Sequence, residues 1–341
     1  MAELARAAWG PETVVEFQNF GAGDSDISFG TRTIARDFGR RSGPIKSKLR
    51  QYDAIIDSGA GDSFTDIYGA RRLLTMHYVH RSAKQVGVPL VFGPQTIGPF
   101  NTRWGRTIAR RSLRASTGVL VRDSISETYT KRLGFVPAAH ATDVVFNLEV
   151  PERRKRFEVL FNVSGLLWSE NSHVDYVRYQ AAVRSLIQGL RDSGREVALL
   201  AHVLANSTHD DDTSVVRELA AELNIQALVP EDLDDVRSMV ADADLVIGSR
   251  MHACLNALSV GTPAIPLAYS RKFAPLLDDI GWNHTIDLRK SDTVAEEALV
   301  IAGQAAEGLL DADVSSLRTR TSERLQDAAD ALRVRVPSID G

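Results

Sequence analysis

An arginine and a histidine two residues apart, just past an apolar run, are the side chains here best suited to chemistry on an anion. They lie in the stretch from Val246 to Lys272. The run Ala243 to Ile247, interrupted by Asp244, predicts a short buried strand. Gly248-Ser249 predicts a tight turn, and Arg250 and His252 then open a helix running through Leu258. Gly261-Thr262-Pro263 stops that helix, and Ala264 to Leu267 begins the next strand. Ligands of open α/β sheets bind outside the carboxyl ends of strands, and a helix N-terminus attracts anions. A guanidinium matches carboxylate or phosphate bidentately in a way lysine cannot, and imidazole titrates near neutrality. The expected anion-binding set is therefore Gly248, Ser249, Arg250 and His252. Arg271 and Lys272 either add positive charge there or hold the final helix. The bland alternative for Arg250 is an ion pair with an aspartate.

Other positions carry weaker signals. Arg122 follows the apolar run Gly118 to Val121, again at a strand's carboxyl end, and either faces a cleft or pairs with a carboxylate. Gly59, Gly61 and Asp62 form a glycine turn without the Lys-Ser/Thr continuation of a P-loop, and no full G-x-G-x-x-G is present. Asp62 and Asp66 hydrogen-bond a ligand or cap the next helix. Gln95, Thr96 and Gly98, stiffened by Pro94 and Pro99, read as a wall with hydrogen-bonding capacity. His202, His209 and Asp210 to Asp212 lack zinc-ligand spacing and read as a solvated loop, so no metal is expected. Cys254, the single cysteine, reads as a small buried hydrophobe.

These residues need a scaffold, and the pattern predicts one. Strands at Thr13 to Phe17, Ala54 to Asp57, Pro89 to Phe92 and Gly118 to Val121 alternate with helices at Ala70 to Gln85, Thr107 to Ala115 and Ser124 to Leu133. Ile27 to Arg40 reads as a loop and helix. Such alternation predicts a parallel sheet with helices on both faces. The charged break Pro151 to Arg156 is a domain boundary. A second alternation follows: strands at Glu158 to Val163, Val197 to Ala201 and around Leu245, with helices at Tyr176 to Ser193, Val215 to Leu223 and Val236 to Ala241. Residues 293–333 read as long helices. The expected organisation is 1–150, 157–290, and a helical tail 291–341 packing back on the body.

With 341 residues, 44% hydrophobic and 25% charged, the chain has the composition of a globular protein of two domains. Its net charge of -4 argues against a nucleic-acid protein. No run approaches the roughly 20 apolar residues that span a bilayer, and Met1 to Pro11 lack a signal peptide's apolar core. A cytoplasmic location follows as an expectation.

Four segments resemble, in order, the polysaccharide pyruvyl transferase family: Gly59 to Gly69, Gly93 to Phe100, Val121 to Ser126 (with Leu133-Gly134 and Asp143 after it), and Val246 to Lys272. The resemblance implies two Rossmann-like doubly wound domains facing a cleft, similar to the B-type glycosyltransferases. It implies transfer of pyruvate from phosphoenolpyruvate to a sugar of a polysaccharide or glycolipid, forming a ketal, without a cofactor. Arg250, His252 and Arg122 would be catalytic. Donor contacts would fall on the C-terminal domain, and acceptor contacts near Gly61, Asp62, Asp66, Gln95 and Thr96. The acceptor class would place the enzyme at the inner membrane face, peripherally if in contact with it at all. The rivals are a B-type glycosyltransferase using a nucleotide-sugar and a non-catalytic glycan-binding relative. The family opens with a strand and glycine turn carrying an aspartate, ahead of the strand matched by Thr13 to Phe17. Gly21-Ala22-Gly23-Asp24 is only superficially similar, so either Asp24 is a displaced equivalent or the first βα unit is absent.

Overall fold

A computed structural model describes residues 1–21, 23–59, 63–204, 210–270 and 273–336. The chain divides into two compact units, 1–147 with 321–341, and 148–320. The helical tail expected at 291–341 is thus shared between them.

Unit 1 contains α1 (Ala2–Trp9), α2 (Thr31–Asp37), α3 (Pro44–Leu49), β1 (Ile55–Asp57), β2 (Ser63–Phe64), α4 (Ala70–Val86), β3 (Leu90–Ile97), α5 (Arg103–Leu113), β4 (Gly118–Val121), α6 (Ser124–Arg132) and β5 (Ala139–His140). Its parallel sheet runs β1-β3-β4-β5, with β2 beside the far end of β3. Side chains alternate across the pleat. Val91 and Leu120 face α1, where they meet Leu4 and Ala8 together with Ala328, Ala329 and Leu332 of the tail. Phe92, Val119 and Val121 face the other way, onto Leu73 and Met76 of α4 and Ala109 and Leu113 of α5.

The strand expected at Thr13 to Phe17 does not form. Val14 is 88% and Phe17 73% exposed. An extended segment becomes a strand only where a neighbouring strand takes up its backbone groups, and residues 13–17 pair with no strand. The chain before it is a helix, α1, whose apolar stripe covers one face of the sheet.

Unit 2 contains β6 (Phe157–Asn162), α7 (Gly165–Trp168), α8 (Tyr176–Asp192), β7 (Val197–Leu200), α9 (Thr213–Leu223), β8 (Gln226–Leu228), α10 (Leu233–Ala241), β9 (Ala243–Gly248), α11 (Met251–Val260), β10 (Ala264–Ala268), α12 (Phe273–Asp279), β11 (Ile286–Asp287) and α13 (Val294–Ala306). The last helix, α14 (Asp311–Arg335), begins here and ends in unit 1. Helix α8 shows why such segments fold locally. Asp175 accepts hydrogen bonds from the amides of Val177 and Arg178, and Tyr179, Val183, Leu186, Ile187 and Leu190 recur at helical spacing to bury one stripe. The parallel sheet reads β8-β7-β6-β9-β10-β11. From β6 the chain steps outward through β7 and β8. It then returns to β9 on β6's other side and steps outward again. That reversal makes the β6/β9 pair a topological switch point, where the two flanking loops leave in opposite directions and open a crevice.

Candidate active site

The carboxyl ends of β6 and β9 bring together most of the expected donor-side residues. Ser249 N donates to Asn162 O, and Arg250 N to Asn162 Oδ1 (2.9 Å), so the Asn162 side chain pins the start of α11. A Cβ on Gly248 would lie 3.1 Å from Cys254 Sγ and 3.4 Å from Asn162 Cβ, so the turn is close-packed. Ser249 is fully buried and its hydroxyl is shared with Tyr179 Oη at 2.8 Å. Gly248 and Ser249 therefore shape the turn that presents Arg250 and His252. Cys254 is buried and its thiol donates to Gly248 O.

Arg250 is 7% exposed. Its Nε and Nη2 lie 3.1 and 2.7 Å from Asp212 Oδ1, Nη2 donates to Asp210 O, and Nη1 lies 2.6 Å from Asp210 Oδ1. Burial pulls the guanidinium's pKa down, but the Asp212 and Asp210 carboxylates more than offset this and hold it above the usual arginine value. Two carboxylates against one guanidinium leave a local excess of negative charge. The free cation expected at the strand end is thus a buried ion pair. The two carboxylates differ, however. Asp212 is fully buried and also accepts from the amides of Gly165, His202 and Val203, whereas the Asp210 side chain is 44% exposed.

His252 is exposed on the first turn of α11. His202, half-buried at the end of β7, has its pKa pushed down to about 4 by burial, with His252 and Arg250 adding to the shift and Asp212 opposing it. Asn256 ties this corner together, donating to His252 O at 2.9 Å and lying 3.3 Å from His202 Nε2. Burial also raises the Tyr269 phenol at the end of β10. Arg271 and Lys272 lie outside the described residues, as does His209.

The unit 1 residues are engaged differently. Arg122 donates to Asp143 Oδ2 (3.0 Å) and to Thr96 Oγ1 (2.6 Å), and is 9% exposed. This pairing with a carboxylate is the arrangement expected of an arginine that fixes the loop. Asp123 caps α6 through Ser126 N. Asp66 accepts from the amides of Asn101 and Thr102 (both 2.9 Å) and from Thr102 Oγ1 (2.6 Å). Burial alone would raise its pKa, but these donors hold it below the ordinary aspartate value. Its oxygens are committed to the turn before α5, which leaves them little capacity for a sugar hydroxyl. Gln95 is 1% exposed and gives its amide to Asp57 O at 2.7 Å. Thr96 is engaged in the same way, its hydroxyl accepting from Arg122. Gly61 and Asp62 lie outside the described residues.

One buried pair was missed. His80 Nε2 lies 2.9 Å from Asp57 Oδ2, and Asp57 Oδ1 accepts from Gly59 N. The partners are 23 residues apart, on a strand and a helix, and no local spacing announces them. Asn162 was more accessible, as the polar residue closing an apolar run.

Two parallel sheets with helical crossovers, one with a Rossmann strand order, place the chain among mixed α/β proteins of the B-type glycosyltransferase and epimerase fold. Three solved structures share that fold. They are HepE from Anabaena in complex with UDP (13% identity, 85% of this chain and 79% of that one, TM-score 0.50), the UDP-GlcNAc 2-epimerase of Methanocaldococcus jannaschii (12%, 89% and 88%, 0.53) and a UDP-N-acetylglucosamine 2-epimerase from Listeria monocytogenes (12%, 89% and 79%, 0.54). The sequence profile described as polysaccharide pyruvyl transferase matches residues 15–271, and the chain belongs to that family. A curated relative, the amylovoran biosynthesis protein AmsJ of Erwinia amylovora, is 23% identical over 258 residues. That alignment covers 69% of this chain and about three fifths of AmsJ (61%).

Proposed function

We propose that this protein transfers pyruvate from phosphoenolpyruvate to two hydroxyls of a sugar in a polysaccharide or glycolipid, releasing phosphate and leaving a cyclic ketal. The observation that carries the reading is the position of the family's Ser-Arg-Met-His segment. It lies at the β6/β9 switch point, with Arg250 at the N-cap of α11 and no side chain capping that helix. An uncapped helix start offers N–H groups and a positive dipole to an anion.

Asp212 holds the Nε/Nη2 edge of Arg250, while the Nη1 edge meets the half-exposed Asp210. The donor's phosphate or carboxylate would displace Asp210 and bind Nη1, with Asp212 keeping the guanidinium aimed. His252, exposed on the same turn, would give a proton to the donor's methylene carbon. One sugar hydroxyl adds to the resulting cationic carbon and loses its proton. The carbon–oxygen bond to phosphate then breaks, and the second hydroxyl closes the ketal. The methyl group keeps one of the two hydroxyl-equivalent protons, and the other leaves with phosphate.

Calorimetric titration with phosphoenolpyruvate, and separately with a UDP-sugar (the ligand class named for HepE and the epimerases), tests the donor. Binding of phosphoenolpyruvate, abolished in Arg250→Ala, is expected. Binding of the UDP-sugar alone would replace this reading with glycosyl transfer.

A further inference from the structure

Residues 67–122 contain ten Lys or Arg and no Asp or Glu, in a chain whose net charge is -4. The fold gathers much of this charge on one surface. Crossovers β1-α4-β3 and β3-α5-β4 step in the same direction along the sheet, so α4 and α5 lie on the same face. They touch through His77 Nδ1 and Ser112 Oγ (2.8 Å) and through Lys84 Nζ, which donates to Arg114 O. Arg71, Arg81 and Lys84 are exposed on α4. On α5, Gly105, Ala109, Ser112 and Leu113 face the core, which turns Arg103, Arg110 and Arg111 outward, with Arg114 just beyond. Among the described residues, the ion pairs in which this stretch takes part are the buried ones of His80 with Asp57 and Arg122 with Asp143, and none involves the exposed arginines and lysine of α4 and α5. Apolar side chains stand among the cations: Leu74 is 48% and Trp104 41% exposed. The local field is felt inside the layer. Burial, with the charges of His80, Arg111 and Arg81, pushes the His77 pKa down to about 4.

We propose that the outer face of α4 and α5 docks on a membrane surface rich in anionic phospholipid. Unneutralised arginines suit a negatively charged lipid surface. An exposed tryptophan and leucine among them suit insertion at the headgroup boundary, which a purely electrostatic contact would not need. The proposal is independent of the donor chemistry.

Co-sedimentation of the full chain with phosphatidylcholine vesicles, with and without phosphatidylglycerol, tests it. Binding only to the anionic vesicles, released by about 0.5 M salt, is expected because screening shortens the reach of exposed charges. The triple variant Arg110→Gln, Arg111→Gln, Arg114→Gln should lower partitioning on the order of a hundredfold with an unchanged melting temperature. Brominated lipid should quench the wild type more than Trp104→Phe. Equal binding to neutral vesicles, or a triple variant that binds like wild type, overturns the proposal. So does tighter binding to duplex DNA or RNA than to anionic vesicles. A wild type that binds neither vesicle while still transferring to a soluble acceptor would overturn the docking surface and leave the transferase reading standing.

Discussion

A guanidinium and a carboxylate buried against each other have both lost their water, and removing one strands the other. Arg250 and Asp212 stand in that relation. Arg250→Ala should therefore cost about 3–5 kcal/mol of stability. Arg250→Lys keeps the charge but loses the fork, so turnover should fall further than stability does. Asp210→Asn touches only the half-exposed partner and should cost under about 1 kcal/mol, while phosphoenolpyruvate binds more tightly. Denaturant melts and donor titrations on the same three preparations check this, and weaker donor binding in Asp210→Asn would show that Asp210 helps rather than competes. A second residue-scale prediction concerns acid. His77 and His202 have folded pKa values near 4 against an ordinary 6.5. The unfolded chain therefore binds protons first as pH falls, and stability declines between about 6.5 and 4. His77→Gln should flatten that decline in a pH series of melts, and an unchanged slope would mean His77 contributes nothing to it. Arg250 and His252 were legible as a pair because strand, turn and helix follow one another in sequence. Asp212 was not, because its partner is 38 residues away and its own neighbours, Asp210 and Asp211, look like solvated loop.

Among the elements, α5 depends on a turn that Asp66 organises from a distance. Thr102 caps the helix through Gly105 N, and Asp66 holds Thr102 in turn. Asp66→Ala leaves three donors without their acceptor and should cost about 1–3 kcal/mol. Its acceptor KM should stay as in the wild type, because the residue acts on the fold. A normal melting temperature with a raised acceptor KM would return Asp66 to the sugar. The sequence pattern located α4, α6, α8 and β4 to within a residue or two, since each carries its period through its full length. It ended β3 at Phe92, whereas the strand continues to Ile97 across a register shift between Phe92 and Gln95. Gly93-Pro94-Gln95 has no alternation to read, and the parallel neighbours impose the extension. The same dependence on neighbours, with the opposite result, left residues 13–17 out of the sheet.

At the scale of the whole chain, alternation predicts parallel sheets but not strand order, which depends on the direction of each crossover. The reversal that brings Asn162 beside Gly248 thus became visible only in three dimensions. Its consequence is that the proposed donor residues Arg250 and His252 fall within unit 2, which has its own core. The tryptophans divide usefully: Trp9 and Trp104 belong to unit 1, Trp168 and Trp282 to unit 2. Replacing Trp9 and Trp104 by Phe makes fluorescence report unit 2, and replacing Trp168 and Trp282 makes it report unit 1. A ligand that binds only folded unit 2 stabilises it by about 2.7 kcal/mol at a hundredfold excess over Kd. Phosphoenolpyruvate should therefore raise the melting transition seen through Trp168 and Trp282. A smaller or absent shift is expected through Trp9 and Trp104 if the units melt separately, and an equal one if they melt together. A shift confined to Trp9 and Trp104 would move the donor to unit 1 and take Arg250 and His252 out of the reaction.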